Sequence, residues 1–148
     1  MLLAAMLAVA TSAWAADPTL GTWKLNLAKS GYIPGPAPIR ETRVYTRSAN
    51  GVALTITTTN AGGKTGTVKI TVAEDQKSHP VSDNPDFDTV RLEHVDAFTV
   101  HSTMTKSGVI VAAGTRTVSK DLKTMTIEQK GKRANGRMYN FLSVYEKQ

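Results

Sequence analysis

From Gly21 onward, apolar and polar side chains alternate with a period of two. Val52, Leu54 and Ile56 oppose Ala53, Thr55 and Thr57, and Val68, Ile70 and Val72 oppose Thr67, Lys69 and Thr71. Phe98, Val100 and Met104 oppose Thr99, His101 and Thr103, and Met125 and Ile127 oppose Thr124 and Thr126. Successive strand residues point to opposite faces, so the pattern predicts a sheet that is apolar on one side and wet on the other. The predicted strands are 21–27, 39–48, 52–59, 65–74, 87–94, 97–105, 109–118, 122–130 and 137–146. Turn chemistry separates them. Asn50-Gly51 suits a tight type I′ hairpin, and 60–63, 106–108, 119–121 and 131–136 are rich in Gly, Asn, Ser and Asp. No segment beyond the first fifteen residues carries a 3.6-residue apolar stripe.

Short strands joined by tight turns pair sequentially and antiparallel. A sheet of that width curls, and closure removes its edges. The expected fold is therefore all-β: an antiparallel up-and-down barrel of about eight or nine strands. A two-sheet sandwich is the alternative, and it needs longer crossing connections than this chain has. Two stretches interrupt the meander. Residues 30–38 are Pro/Gly-rich and cannot be helical, and 75–86, with His79-Pro80 and Asn84-Pro85, reads as a loop.

Met1 to Ala10 is apolar without a break, and Ala13-Trp14-Ala15 follows. This is the pattern of a secretory signal cleaved before Ala16, leaving 16–148 as a single domain. The basic residue usual at the front of such a segment is missing, so a start a few residues further upstream is an expectation. The expected location is periplasmic or secreted. The 148-residue chain contains no cysteine, which excludes disulfides, a thiolate zinc site and a cysteine nucleophile. No apolar run reaches the ~20 residues of a membrane helix, so the mature chain is expected to lack an integral membrane segment. Twenty threonines accompany the many Val and Ile, as strands favour.

Gly21-Thr22-Trp23-Lys24-Leu25 and Val144-Tyr145-Glu146-Lys147 resemble the two ends of intracellular fatty-acid-binding proteins, and Gly-x-Trp is similar to the first-strand signature of lipocalins. Both groups are calycins, the ligand-binding barrels. The resemblance implies that Trp23 closes one barrel end beneath a basic side chain from near the other terminus, for which Arg137 and Lys147 are the candidates. Fatty-acid-binding proteins insert two helices after the first strand, where this chain has its proline stretch. Their last strand carries an Arg two residues before the Tyr, and the pair clamps a carboxylate; here the Tyr is Tyr145 and the Arg position is Ser143. Trp23-Lys24-Leu25-Asn26, Ala28-Lys29-Ser30, Pro34-Gly35-Pro36, His79-Pro80-Val81, Asn84-Pro85-Asp86 and Asp88-Thr89-Val90 resemble small exported bacterial proteins, lipocalin-like in outline. That resemblance implies a fold and no activity.

Candidate chemistry is sparse. His94 and His101, seven residues apart across a presumed turn, could approach each other on neighbouring strands, but a zinc site wants three or four ligands. Seven of the twelve acids fall between Glu74 and Asp96, without the spacing of a helix-loop-helix calcium site; they read as a solvated loop with Asx caps. No metal, cofactor or catalytic residue is assigned. The chain carries 18 Lys and Arg against 12 Asp and Glu, a formal charge of +6. Arg40, Arg43 and Arg47, with Tyr45 interleaved, and Lys130, Lys132, Arg133 and Arg137 read as a basic face. Export argues against nucleic acid and for an anionic envelope surface.

The leading expectation is a non-catalytic barrel holding a small apolar or amphipathic molecule in a pocket of several hundred Å³. Arg116, Tyr139 and Tyr145 are its candidate polar groups, with Arg116 placed inside because its face also carries Ile110, Ala112 and Val118. A pocketless module using its rim loops or basic face is the alternative, and an enzyme of unknown reaction the third.

Overall fold

A computed structural model describes residues 17–49, 51–73, 75–82 and 84–148; residues 1–16, on which the expected signal segment falls, Asn50, Glu74 and Asp83 lie outside the described residues. Eleven strands follow one another: β1 (Gly21–Leu25), β2 (Gly31–Ile33), β3 (Arg40–Ser48), β4 (Gly51–Thr59), β5 (Thr65–Ala73), β6 (Ser78–Pro80), β7 (Thr89–His94), β8 (Thr99–Lys106), β9 (Val109–Val118), β10 (Thr124–Lys132) and β11 (Met138–Lys147). Nine of them lie where the alternation places them. The count exceeds the expected eight or nine because β2 and β6, of three residues each, form inside the two stretches read as loops. A 3₁₀ turn at Leu27–Lys29 is capped by Asn26, whose side chain accepts from the Lys29 N–H. No helix among the described residues is long and apolar enough to cross a membrane.

All strands belong to one antiparallel sheet in the order β5-β4-β3-β1-β11-β10-β9-β8-β7-β6, with β2 continuing β1's course beside β11. One curled sheet, not two layers, rules out the sandwich. The first and last strands pair, Trp23 with Lys147 and Leu25 with Tyr145. The sheet's two ends, β5 and β6, are not hydrogen-bonded to each other among the described residues, so the barrel stays open along one seam.

The inner face is largely apolar. Trp23, Leu25, Tyr45, Val52, Leu54, Val118, Met125, Ile127 and Tyr145 form one buried cluster at the floor. Met104, Ala112 and Tyr139, with Phe87, Val90 and Phe141 against them, form a second nearer the rim. Glycine allows close approaches that a side chain would block. A Cβ on Gly131 would stand 2.5 Å from the Cβ of Ala112 on β9, so only glycine lets these strands approach there. Gly21 has φ +122, and a Cβ there would meet Lys147 Cε at 2.9 Å. The glycine of Gly-x-Trp thus leaves the path by which Lys147 reaches the indole.

Candidate functional site

Trp23 is fully buried at the floor, and its Nε1–H donates to the Thr19 carbonyl at 2.7 Å. Lys147 Nζ lies 5.2 Å from the ring centroid, within cation–π range. Arg137, the other candidate for that position, is in the β10–β11 turn, the length of β11 away.

The alternation sets Glu41, Arg43 and Tyr45 of β3 on the inner face, beside Tyr145 and Ser143 of β11. Arg43 Nε donates to Glu41 Oε1 at 2.8 Å, and the Tyr145 hydroxyl donates to the same oxygen at 2.6 Å. Thr58 donates its hydroxyl to Glu41 Oε2 at 2.9 Å, and the Arg43 guanidinium lies 5.1 Å from the Tyr145 ring centroid. Ser143, at the position where the resemblance sets an arginine, instead bonds the Tyr32 hydroxyl at 2.9 Å. Burial pushes the Glu41 carboxyl up, but the Arg43 charge and the bonds from Tyr145, Arg43 and Thr58 outweigh it and hold the group below the usual carboxylate range. Burial raises the Tyr145 hydroxyl, which stays protonated and donating. The interior therefore holds a compensated ion pair with a neutral donor.

These residues correct the reading of a solvated basic face. Arg43 is inward and paired, and Tyr45, at 2% exposure, offers no ring for stacking on the surface. The strand's own alternation was the signal: Glu41, Arg43 and Tyr45 fall on one side, and a charged pair on an otherwise apolar face is an internal salt bridge.

Arg116 is on the inner face with the buried Ala112 and Val118, its guanidinium 5.4 Å from the Tyr45 ring centroid; Ile110, expected on that face, is exposed because the β8–β9 register shifts at Met104/Thr105. It borders a void of about 10 Å³ that Thr19, Tyr45, Leu92 and His94 also line; that is room for about one water. Tyr139 is buried, its hydroxyl accepts from Gln129 Nε2 at 2.7 Å, and its ring stacks on Phe141 at 5.9 Å. Arg116, Tyr139 and Tyr145 thus stand in three separate arrangements rather than one. Among the described residues the interior void beside Arg116, about 10 Å³, is far smaller than the enclosed pocket of several hundred Å³ expected. The uncovered inner surface is at the seam. Val68 and Ile70 of β5 pair with Ile56 and Leu54 of β4, yet they remain 55% and 37% exposed.

A polar trough of about 510 Å³ lies on the outer face across β7–β11, between Glu93, His101, Thr103, Glu128, Lys130 and Asn140. The histidines do not combine. His101 pairs with Glu93 and His94 with Val100, which sets them on opposite faces of the sheet. No three His, Asp or Glu side chains among the described residues gather to hold a metal. Acids of the 75–88 stretch fasten backbone instead. Asp86 accepts from the Ala134 N–H and Asp88 from the Ser107 N–H, each at 2.8 Å.

Glu41 carries a pH dependence. Its pKa is lower folded than unfolded, so the unfolded chain binds the proton more readily, and the stability it contributes is present above the unfolded value of 4.5 and lost as pH falls through the folded one. Urea midpoints measured from neutral pH to below 4 are expected to show the gap between the wild type and Glu41→Gln narrowing below about pH 4.5.

A single antiparallel sheet curled into a partial barrel, with first and last strands paired over an inward tryptophan, is a calycin-like fold. Among solved structures the chain is similar to zebrafish ileal bile acid-binding protein complexed with cholic acid, with a TM-score of 0.51, 10% identity, and 88% of this chain and 99% of that one covered. It is also similar to As-p18, an extracellular fatty acid binding protein, with a TM-score of 0.52, 16% identity, and 89% and 97% covered. At these identities the likeness is one of fold. No protein-family model and no curated protein matches the chain.

Proposed function

We propose that this chain is an exported, non-catalytic barrel, periplasmic or secreted, that holds a small apolar or amphipathic molecule along its open seam. The observation that carries this reading is the exposure of Val68 and Ile70. They are aliphatic, on the inner face, in register with core positions, and uncovered. An uncovered apolar strip at the opening of a barrel is the surface a ligand would bury. The zebrafish neighbour is complexed with cholic acid and As-p18 is a fatty acid binding protein; an amphipathic lipid of that general class suits a strip of this kind.

Arg43, Ile56 and Val68 share one ladder row, so the Arg43–Glu41 pair borders the inner side of the strip. A ligand with a neutral hydrogen-bonding end would meet that pair without repulsion from Glu41. Arg116, which forms no ion pair among the described residues, is the cation available to orient a ligand from across the interior. Titration with Nile red, a neutral apolar fluorophore, is expected to give a saturable rise in emission. Val68→Asp and Ile70→Asp should weaken binding at least tenfold while the melting temperature holds, since both side chains are already wet. Absence of saturable binding, or unchanged binding in both variants, would contradict the reading.

A further inference from the structure

The ladder registers set one group of loops at the end of the barrel away from Trp23: the 33–39 connection, the β4–β5 turn, the 81–88 loop, the β8–β9 turn and the β10–β11 turn. This rim is unlike the rest of the surface in two respects. Of the seven large hydrophobic side chains more than half exposed among the described residues, five are here: Ile33, Ile39, Val109, Ile110 and Met138. The strand order sets Ile39, Ile33, Met138 and then Ile110 with Val109 successively around the opening. Scattered exposed aliphatics are ordinary, but a ring of them at one end is not.

The second respect is charge. Arg40, Lys64, Lys106, Lys132, Arg133 and Arg137 all stand exposed at this end. The described acids opposing them are Asp86, which pairs with Arg133 at 3.4 Å, and Asp88, which caps the Ser107 N–H. At the floor the acids have cations beside them: Asp96 lies near Lys120, Asp121 near Lys123, and Glu146 pairs with Lys29 at 3.1 Å. Six exposed cations against two described acids thus set positive charge where the exposed aliphatics are.

We propose that this rim docks on an anionic lipid bilayer, with Ile33, Ile110 and Met138 entering the headgroup–acyl boundary and the surrounding cations meeting lipid phosphates. Aliphatic side chains ringed by Lys and Arg suit that interface, where apolar burial and attraction to anionic headgroups act together. A nucleic acid would want exposed rings for base stacking, and a protein interface would want aromatic anchors; the rim's exposed apolar residues are all aliphatic. This docking is independent of any ligand in the seam.

Flotation with phosphatidylcholine vesicles, with and without one-quarter phosphatidylglycerol, tests it. Binding is expected to be at least tenfold stronger to the anionic vesicles and to fall in 0.5 M NaCl. Ile110→Asp/Met138→Asp and Lys132→Glu/Arg137→Glu should each lose at least tenfold with unchanged melting temperatures, while Val95→Asp, at the floor, retains full binding. Equal binding to both vesicles, no binding, or an equal loss in Val95→Asp overturns the proposal. So does binding to soluble polyglutamate, but not to vesicles, that survives Ile110→Asp/Met138→Asp; that result would assign the rim to an acidic protein.

Discussion

Glu41→Leu is expected to lower folding stability by about 3–5 kcal/mol, because it strands the Arg43 guanidinium inside the barrel without its carboxylate. Three donors converge on Glu41, from Arg43, Tyr145 and Thr58, and each loses its acceptor in the variant. The cost comes from the unpaired charge rather than from the net worth of the pair. The double variant Glu41→Leu/Arg43→Met is therefore expected to be more stable than Glu41→Leu alone, since replacing both charges with apolar side chains removes the desolvation penalty as well as the attraction. Urea unfolding of the wild type, both single variants and the double variant gives the coupling directly. A loss below about 1 kcal/mol for Glu41→Leu would place the pair in the class of exposed ion pairs and contradict the interior assignment.

Trp23→Ala is expected to cost about 3–5 kcal/mol, the usual range for deleting a large aromatic from a packed core. The indole is fully buried in the floor cluster, bonds the Thr19 carbonyl and lies beneath Lys147. Its removal opens a cavity, leaves the carbonyl without its donor and takes the ring from the ammonium. Trp23→Phe keeps most of the volume and an aromatic face but not the N–H, so its loss should be clearly smaller. Denaturation followed by far-UV circular dichroism, which needs no tryptophan signal, checks both.

The strand plan was legible because strand periodicity is written residue by residue. β4, β5 and the first half of β10 each alternate cleanly, and the turns at Asn60–Gly63 and Ser119–Asp121 carry the residues such turns need. β2 and β6 were not legible. Each has only three residues, and Gly31, Pro80 and their neighbours read as loop; they become strands by pairing with Phe141 and Val90 of longer partners. Local propensity does not record a distant edge waiting to be extended.

The floor was legible from Gly-x-Trp and the chain's last residues. The sequence offers Lys147 and Arg137 alike for the place over the indole, and only register separates the two: Lys147 pairs with Trp23 itself, whereas Arg137 precedes β11. The interior ion pair was missed for a different reason. Arg40, Arg43 and Arg47 are close in sequence and read as one basic face, but period-two geometry sets Arg40 and Arg43 on opposite faces. Arg116, by contrast, was placed by its face and fell inside. The seam could not be read at all, because whether β5 and β6 meet depends on how far the whole sheet curls.

Backbone amide shifts of the ¹⁵N-labelled protein titrated with 1-dodecanol probe the seam most directly. Saturable changes at Ile56, Val68, Ile70 and Leu92, with Thr103 and Glu128 in the outer trough unmoved, are the outcome expected of a ligand-binding barrel open between β5 and β6. Shifts confined to the trough, or none that saturate, would contradict it.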